Sequence, residues 1–168
     1  MAGREFSGFD YAKDDLFEGA SFILTPVEET DPSAVEEVRA FALSLGFGKA
    51  VVSDPEEHDR IIAATSQLAH IVSNAYIKSP TLRHQAGFSA GSYQDLTRVA
   101  KLSEEMWTSL FLLNREALLF EVETIIGHLS QYRDALAAGN APELKELLRE
   151  GRILKEEDIE RTAVRNQK

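Results

Sequence analysis

The stretch AVVSDPEE at residues 50–57 separates two patterns of sequence. Its first half is a short apolar run, which is typical of a buried strand. In its second half Asp54 and Glu57 form a capping pair, and Pro55 occupies the first position of a helix. Beyond Asp54 the sequence contains no further strand pattern. The fold is therefore expected to change from mixed α/β to all-helical at residue 54.

The sequence upstream of this stretch predicts one strand–helix–strand unit. The apolar run ASFIL at residues 20–24 is followed by Asp31 and Pro32, a strong helix start. Apolar residues then recur at helical spacing until Gly46, which is a typical residue to end a helix. Such a unit builds parallel sheets, but a single one is too little sheet to be stable alone. We therefore expect it to be the end of a larger α/β domain.

The remainder of the chain predicts helices alone, so the predicted fold class is mainly α. A Gly-rich loop, GFSAG at residues 87–91, interrupts the helical pattern. The predicted helices span residues 55–78, 93–102 and 103–138 and a charged segment from Asn140 onward, with a short additional helix at 11–17.

The longest predicted helix, residues 104–138, is apolar on nearly all of its faces. At 1.5 Å per residue it would be about 50 Å long, longer than a small domain is wide. A helix of this kind is buried on more than one side. It is either the central core helix of a monomer or a helix shared with a second chain. We expect the second arrangement, a twofold homodimer.

Composition excludes several classes of protein. A length of 168 residues corresponds to one domain, or to a domain with part of another. Hydrophobic residues make up 43%, which excludes a chain that is disordered throughout. With 28 acidic and 18 basic residues the formal net charge is −10, which disfavours nucleic acid and anionic membrane as partners. The sequence contains no cysteine, which fits a reducing cytoplasm. Neither a membrane span nor a signal peptide is apparent in it. We expect a cytoplasmic protein without a metal site.

Three polar residues and one isoleucine lie four positions apart on the helix after Asp54. His58, Ile62, Ser66 and His70 would share one face, which suggests a lined cavity. The simpler alternative is that His70 is buried and bonded to a structural partner.

Arg98 is the candidate ligand-binding cation. Its guanidinium presents a planar fork that matches a carboxylate. The alternative is an exposed ion pair with Asp95, one helical turn earlier. Trp107, a little further along, would most often be a core residue.

Three groups of short motifs occur in a fixed order. They are MAGRE at 1–5 with Ser7-Gly8, LFEGA at 16–20 and LTP at 24–26; then HD at 58–59, IA at 62–63 and SQLAH at 66–70; then GF at 87–88, Gly91, Asp95, TRVA at 97–100 and MW at 106–107. In this order they resemble the prephenate dehydrogenase family, which includes the arogenate dehydrogenases. Val99 and Ala69 depart from the usual Ile and Pro of that pattern.

The resemblance implies a pathway, a reaction and a domain plan. Members oxidise and decarboxylate prephenate with NAD or NADP, in tyrosine biosynthesis. Residues 1–53 would be the end of the NAD-binding Rossmann domain, and residues 54–168 the all-helical dimerisation and substrate-binding domain. The resemblance assigns substrate binding to Arg98, His70, Ser66, Gly91, Trp107 and Arg4, and gating to Glu5 and Asp95.

The sequence departs from the family at the catalytic centre. The family's catalytic His and the Pro that precede Met-Ala-Gly are missing, and no G-x-G-x-x-G occurs. We therefore expect no catalytic residue in this chain, no cofactor bound by it alone, and no activity. Three hypotheses follow: part of a dehydrogenase, a homodimeric module that binds prephenate, arogenate or tyrosine without catalysis, or a purely structural dimerisation domain.

Overall fold

The computed structural model describes residues 9–165, with side chains up to residue 163. The chain divides into two compact units, Met1–Glu121 and Val122–Lys168. Throughout the described range, no helix combines the length and the apolar character that crossing a membrane requires.

The first unit begins with the predicted strand–helix–strand segment. Strand β1 (Ser21–Leu24) and strand β2 (Lys49–Val52) are parallel, with Ser21 opposite Lys49 and Leu24 opposite Val52. Helix α1 (Pro32–Ser44) connects them. This confirms the fold class: a small parallel sheet followed by helices.

Local capping explains the bounds of α1. The Asp31 carboxylate accepts bonds from the backbone N–H of Ser33 at 2.8 Å and from its hydroxyl at 2.9 Å. The first contact satisfies the Ser33 amide, which has no partner within the helix. At the other end Gly46 has φ +92°, a backbone conformation that favours glycine. Both ends of the helix were therefore predictable from sequence.

The short helix predicted at residues 11–17 is wrong. The structure has a 3₁₀ turn at Phe9–Tyr11 and an irregular turn after it. The Phe17 ring stacks on Phe47 with centroids 4.6 Å apart, and Glu18 forms an isolated bridge with Phe47. Packing against the segment that leads into β2 therefore replaces the helix.

Beyond β2 the described chain contains helices and turns. They are α2 (Pro55–Ile62), a π turn (Ala63–Gln67), α3 (Leu68–Tyr76), a 3₁₀ turn (Pro80–His84), α4 (Gly91–Thr97), a 3₁₀ turn (Arg98–Ala100), α5 (Glu104–Leu113), α6 (Arg115–Ala137) and α7 (Ala141–Arg165).

The helix predicted at 55–78 contains a π turn in its middle. The Leu68 N–H donates to the Ala63 carbonyl, five residues back instead of four. Such a turn inserts one extra residue, which rotates the following positions by about 100°. No pattern in the sequence indicates this shift, which changes the set of side chains that share a face.

The single long helix predicted at 104–138 is also wrong, because the chain breaks at Asn114. Asn114 has φ −110° and ψ 34°, and it separates α5 from α6. Its side chain donates to the Asp59 carbonyl at 2.9 Å and to Gln67 Oε1 at 2.8 Å. The break is therefore held by contacts that lie far away in sequence.

The second unit contains the rest of α6 and all of α7. Gly139 has φ +61° at the end of α6. The Glu143 N–H donates to Asn140 Oδ1 at 3.2 Å, so Asn140 caps α7 as its sequence pattern predicts.

Candidate functional site

His70 is held on two sides. Its Nδ1 lies 3.1 Å from the Val99 carbonyl oxygen, and its ring lies 3.8 Å from that of Trp107, tilted by 36°. A carbonyl oxygen only accepts, so Nδ1–H is the donor. In a neutral His70, Nε2 then has its lone pair free to accept a bond. The imidazole is therefore fixed in one orientation with one acceptor position left for a ligand.

Two side chains of α3 anchor the segment that carries Arg98. His70 binds the Val99 carbonyl, and Asn74 Nδ2 donates to the Ala100 carbonyl at 3.4 Å. His70 and Asn74 are one turn apart, so they hold two successive carbonyls of the same 3₁₀ turn. Arg98 begins that turn and is exposed. The backbone of the turn that begins at Arg98 is thus held against α3, next to the contact of His70 with Trp107.

Trp107 forms the buried part of this region. It is 8% exposed, and its other aromatic neighbour is Phe111, with ring centroids 5.3 Å apart. The indole and the imidazole offer an apolar surface and a hydrogen bond, and Arg98, adjacent to Val99 in sequence, carries a positive charge. That combination suits a planar molecule that carries a carboxylate.

The polar stripe predicted through His58, Ile62 and Ser66 is displaced by the π turn. His58 and Ile62 line a small concavity together with Gln67, which is five residues beyond Ile62. Ser66, half-buried within the π turn, is not among the residues of this concavity. The volume is about 200 Å³, and the lining residues are His58, Asp59, Ile62, Gln67, Trp107, Leu110, Leu113 and Asn114.

Sequence analysis missed Gln67 and Asn114. Gln67 is 6% exposed, and its Nε2 donates to the Leu110 carbonyl at 3.3 Å while its Oε1 accepts from Asn114. The only available signals were an amide in the middle of an apolar helix and an Asn, a weak helix former, inside a helical pattern. Neither signal identifies the partner.

The remaining predicted site residues are Gly91, Asp95, Arg4 and Glu5. Gly91 is the first residue of α4, and a Cβ there would meet no atom within 4 Å. Asp95 is exposed on the same helix. Arg4 and Glu5 lie outside the described residues.

A larger open groove lies where α2 faces the α5–α6 break. Its volume is about 630 Å³, and it combines apolar side chains with charged ones: Glu56, Asp59, Arg60, Leu112, Leu113, Asn114, Arg115, Glu116, Ala117, Phe120 and Glu121. Ser66, His70 and Arg98 are not part of it. The groove and the His70 region are therefore separate features of the first unit.

The residues present do not fit a dinucleotide pyrophosphate between β1 and α1. Such an anion requires free backbone amides at a Gly-rich helix N-terminus. Here residues 25–33 contain no glycine, and the Asp31 carboxylate already accepts from the Ser33 N–H. Hydrogen bonds from Ser33 hold the pKa of Asp31 below its usual range. Within the part of the chain that the structure describes, no three His, Asp or Glu side chains converge as metal ligands.

The other lowered carboxyl pKa values lie outside the His70 region. A hydrogen bond from Arg133 lowers the pKa of Asp134, one from Arg149 lowers that of Glu146, and one from Lys155 lowers that of Asp158. All these groups are on α6 and α7. They stabilise helices rather than mark a reactive centre.

Family models match nearly the whole chain. Residues 54–150 match the prephenate dehydrogenase dimerization domain, and residues 1–52 match the prephenate dehydrogenase nucleotide-binding domain. The chain belongs to the prephenate dehydrogenase family.

Curated members of the prephenate dehydrogenase family are similar over most of this chain. The prephenate dehydrogenase of Bacillus subtilis is 32% identical over 152 residues, which are 86% of this chain and 40% of that protein. The cyclohexadienyl dehydrogenase of Zymomonas mobilis is 31% identical over 160 residues, 89% of this chain and 53% of that protein. The chain thus spans about half the length of the curated relatives it matches.

Solved structures of the family have the same fold. A prephenate dehydrogenase from Aquifex aeolicus, in complex with hydroxyphenyl propionate and NAD+, superposes with a TM-score of 0.79 at 30% identity. The match covers 94% of this chain and 56% of that one. The arogenate dehydrogenase of Synechocystis gives a TM-score of 0.74 at 29% identity, covering 93% and 58%.

Proposed function

We propose that this chain supplies the carboxylate-binding helical part of a dehydrogenase that oxidises and decarboxylates prephenate or arogenate with NAD or NADP, in tyrosine biosynthesis. The observation that carries the proposal is the His70 arrangement. One ring nitrogen is bound to the Val99 carbonyl, the ring lies on Trp107, and the residue directly before Val99 in the anchored turn is Arg98. Family membership supports the choice of substrate class.

Each group has a distinct proposed role. Arg98 binds a substrate carboxylate through its planar fork, and His70 Nε2 accepts a hydrogen bond from the substrate. Trp107 packs against the ring, and Ser66 adds a hydroxyl from the π turn. We also keep Gly91 and Arg4 as substrate-binding residues and Glu5 and Asp95 as gating residues, on the basis of the family pattern.

The proposed domain division places residues 1–53 at the end of the nucleotide-binding domain and residues 54–168 in the helical domain. The two matched ranges, 1–52 and 54–150, support this division. The 168 residues contain neither the nucleotide fingerprint nor the His that the family pattern has before Met-Ala-Gly, and the Asp31 carboxylate occupies the Ser33 amide at the start of α1. We therefore expect the 168-residue chain to form no NADH from prephenate and NAD+, and detectable turnover would contradict this.

Binding is tested with hydroxyphenyl propionate, the compound in the Aquifex complex. If Arg98 is the clamp, millimolar hydroxyphenyl propionate raises the melting temperature of the wild-type chain. Arg98→Lys keeps the charge but loses the planar fork, and should weaken binding by about 1–3 kcal/mol. Arg83→Lys, on the exposed 3₁₀ turn Pro80–His84, is the matched control and should bind as the wild type does.

The outcomes separate the hypotheses. Equal protection of wild type and Arg98→Lys would show that Arg98 is not the clamp. Absence of protection in all three proteins would favour a purely structural dimerisation domain.

A second candidate function is a homodimeric module that binds prephenate, arogenate or tyrosine without catalysis. Exposed apolar side chains near the α5–α6 break favour it, since Leu113 is 84% and Phe120 66% exposed. Surfaces of this kind mark sites of association, and the matched family domain is a dimerization domain. Light scattering should give twice the 18.7 kDa of one chain at micromolar concentration. A monomer mass would contradict the dimer.

A further inference from the structure

Two amide side chains connect α2, the π turn and the end of α5. Asn114 Nδ2 donates to the Asp59 carbonyl at 2.9 Å and to Gln67 Oε1 at 2.8 Å. Gln67 Nε2 in turn donates to the Leu110 carbonyl at 3.3 Å. Gln67 is 6% exposed and its two bonds are part-buried, whereas the bond from Asn114 to Asp59 is exposed.

Both backbone carbonyls belong to irregular points of their helices. The Asp59 carbonyl shares the Ala63 N–H with the Arg60 carbonyl, where α2 changes into the π turn. The Leu110 carbonyl accepts a long bond of 3.3 Å from the Asn114 N–H, where α5 ends. Carbonyls at such positions need additional donors. The amides of Gln67 and Asn114 supply them.

We propose that Gln67 and Asn114 are a positioning pair that holds Trp107 against His70. Gln67 lies three residues before His70, on the continuous path from the π turn into α3. Leu110 lies three residues after Trp107 on α5. The Gln67–Leu110 bond therefore fixes the two helices one turn away from the contact of imidazole with indole. The inference rests on the proposed role of His70 and Trp107 in ligand binding.

These hydrogen bonds are directional, whereas contacts between apolar side chains are not. An apolar pair would fill the same space but would permit α5 to slide or rotate along α3. Each amide has one acceptor and two donors, and here the donors match carbonyls at only one register. The two part-buried bonds of Gln67 therefore favour the one register in which both can form.

Trp107 is the single tryptophan of the chain, so its fluorescence reports its own environment. Asn114→Ala and Asn114→Asp both remove the two donors, and Asp preserves the size of the side chain. Gln67→Glu keeps the acceptor for Asn114, loses the donor to Leu110 and places an acidic group at a position that is 6% exposed. Gln94→Ala removes an exposed amide from α4 and is the matched control. All variants are made in the full chain, and circular dichroism verifies their helical content.

We expect the emission of Trp107 to move to longer wavelength, and its quenching by acrylamide to increase, in both Asn114 variants and in Gln67→Glu. Gln94→Ala should match the wild type. The double variant Gln67→Ala/Asn114→Ala should change little beyond either single variant, because the two amides act as one unit. Affinity for hydroxyphenyl propionate should fall about 2- to 10-fold in the single variants.

The proposal is overturned if folded Asn114→Ala and Asn114→Asp keep the wild-type emission and quenching. It is also overturned if Asn114→Asp behaves as the wild type while Asn114→Ala does not, since volume and not the donors would then matter. The fluorescence is measured without ligand. If the wild-type chain fails to bind hydroxyphenyl propionate, the proposed function is contradicted while the result on Trp107 remains interpretable.

Discussion

The helices around His70 and the helix α7 are stabilised in different ways. In the first region the side-chain bonds join distant parts of the sequence: His70 with Val99, 29 residues away, and Asn114 with Asp59, 55 residues away. On α7 the pairs Glu146–Arg149, Arg152–Glu156 and Lys155–Asp158 are three or four residues apart and exposed. The candidate site is therefore in the region where tertiary contacts, rather than the helices alone, determine side-chain positions.

The largest expected effect is a loss of stability on truncating Trp107 in the candidate site, compared with truncating an exposed leucine of α7. Trp107→Ala removes a side chain that is 8% exposed and packs on His70 and Phe111. It should lower the free energy of unfolding by about 3–5 kcal/mol. Leu148→Ala, at a position 63% exposed, should change it by less than about 0.5 kcal/mol. Urea unfolding at one fixed protein concentration measures both, and equal losses would refute the contrast.

A smaller effect is expected from the hydrogen bond of His70. His70→Phe keeps an aromatic ring next to Trp107 but leaves the Val99 carbonyl without its donor. The free energy of unfolding should fall by about 1–3 kcal/mol. His128→Phe, at an exposed position on α6, is the control and should be close to neutral. If both variants unfold alike, the bond to Val99 contributes nothing.

Sequence predicted the features that depend on neighbouring residues. The caps at Asp31, Asp54 and Asn140 are formed as expected, because each needs only an acceptor side chain and an amide two or three residues later. The π turn and the break at Asn114 depend instead on bonds across 43 to 55 residues. Periodicity cannot reveal such partners, which is why Gln67 and Asn114 were missed.

Prediction of the site residues was limited in the same way, by contacts between residues that are distant in sequence. His70 was singled out by its spacing on the helix and Trp107 by the family pattern, and the structure brings the two rings into contact. The shared face of His58 with Ser66 was expected from a four-residue period, and the π turn breaks that period. The assigned roles of Arg98, Ser66 and Gly91 remain predictions that ligand binding must test.

A third comparison of the two regions uses one helix cap from each, Asp54 at α2 and Asn140 at α7. The Asp54 carboxylate accepts from the Glu57 N–H at 2.8 Å, whereas Asn140 accepts from Glu143 at 3.2 Å. Asp54→Ala should cost about 1 kcal/mol, and more than Asn140→Ala, since a negative charge also favours a helix N-terminus. Thermal unfolding of both variants provides the comparison. A larger loss at Asn140 would show that α7 contributes more to stability than its exposed pairs indicate.

The smallest expected effect is the pH dependence of α7. Hydrogen bonds from Arg149 and Lys155 lower the pKa of Glu146 and that of Asp158. A carboxyl group whose pKa is lower in the folded state stabilises that state above its unfolded pKa. This stabilisation is lost as the pH falls through the lowered value. Amide exchange in residues 141–165, corrected for intrinsic rates, should therefore accelerate as the pH falls from about 5 to 3.

Helix α3 is the internal control for this titration, because Leu68–Tyr76 contains no carboxyl side chain. Its protection should change less than that of α7 over the same pH range. Because the α7 pairs are exposed, 1 M salt should reduce the difference, since it shortens the screening length to about 3 Å. Arg149→Gln should remove the contribution of Glu146 and leave that of Asp158, which pairs with Lys155. Equal loss of protection in α3 and α7 would mean that acid acts on the whole fold and not on these local pairs.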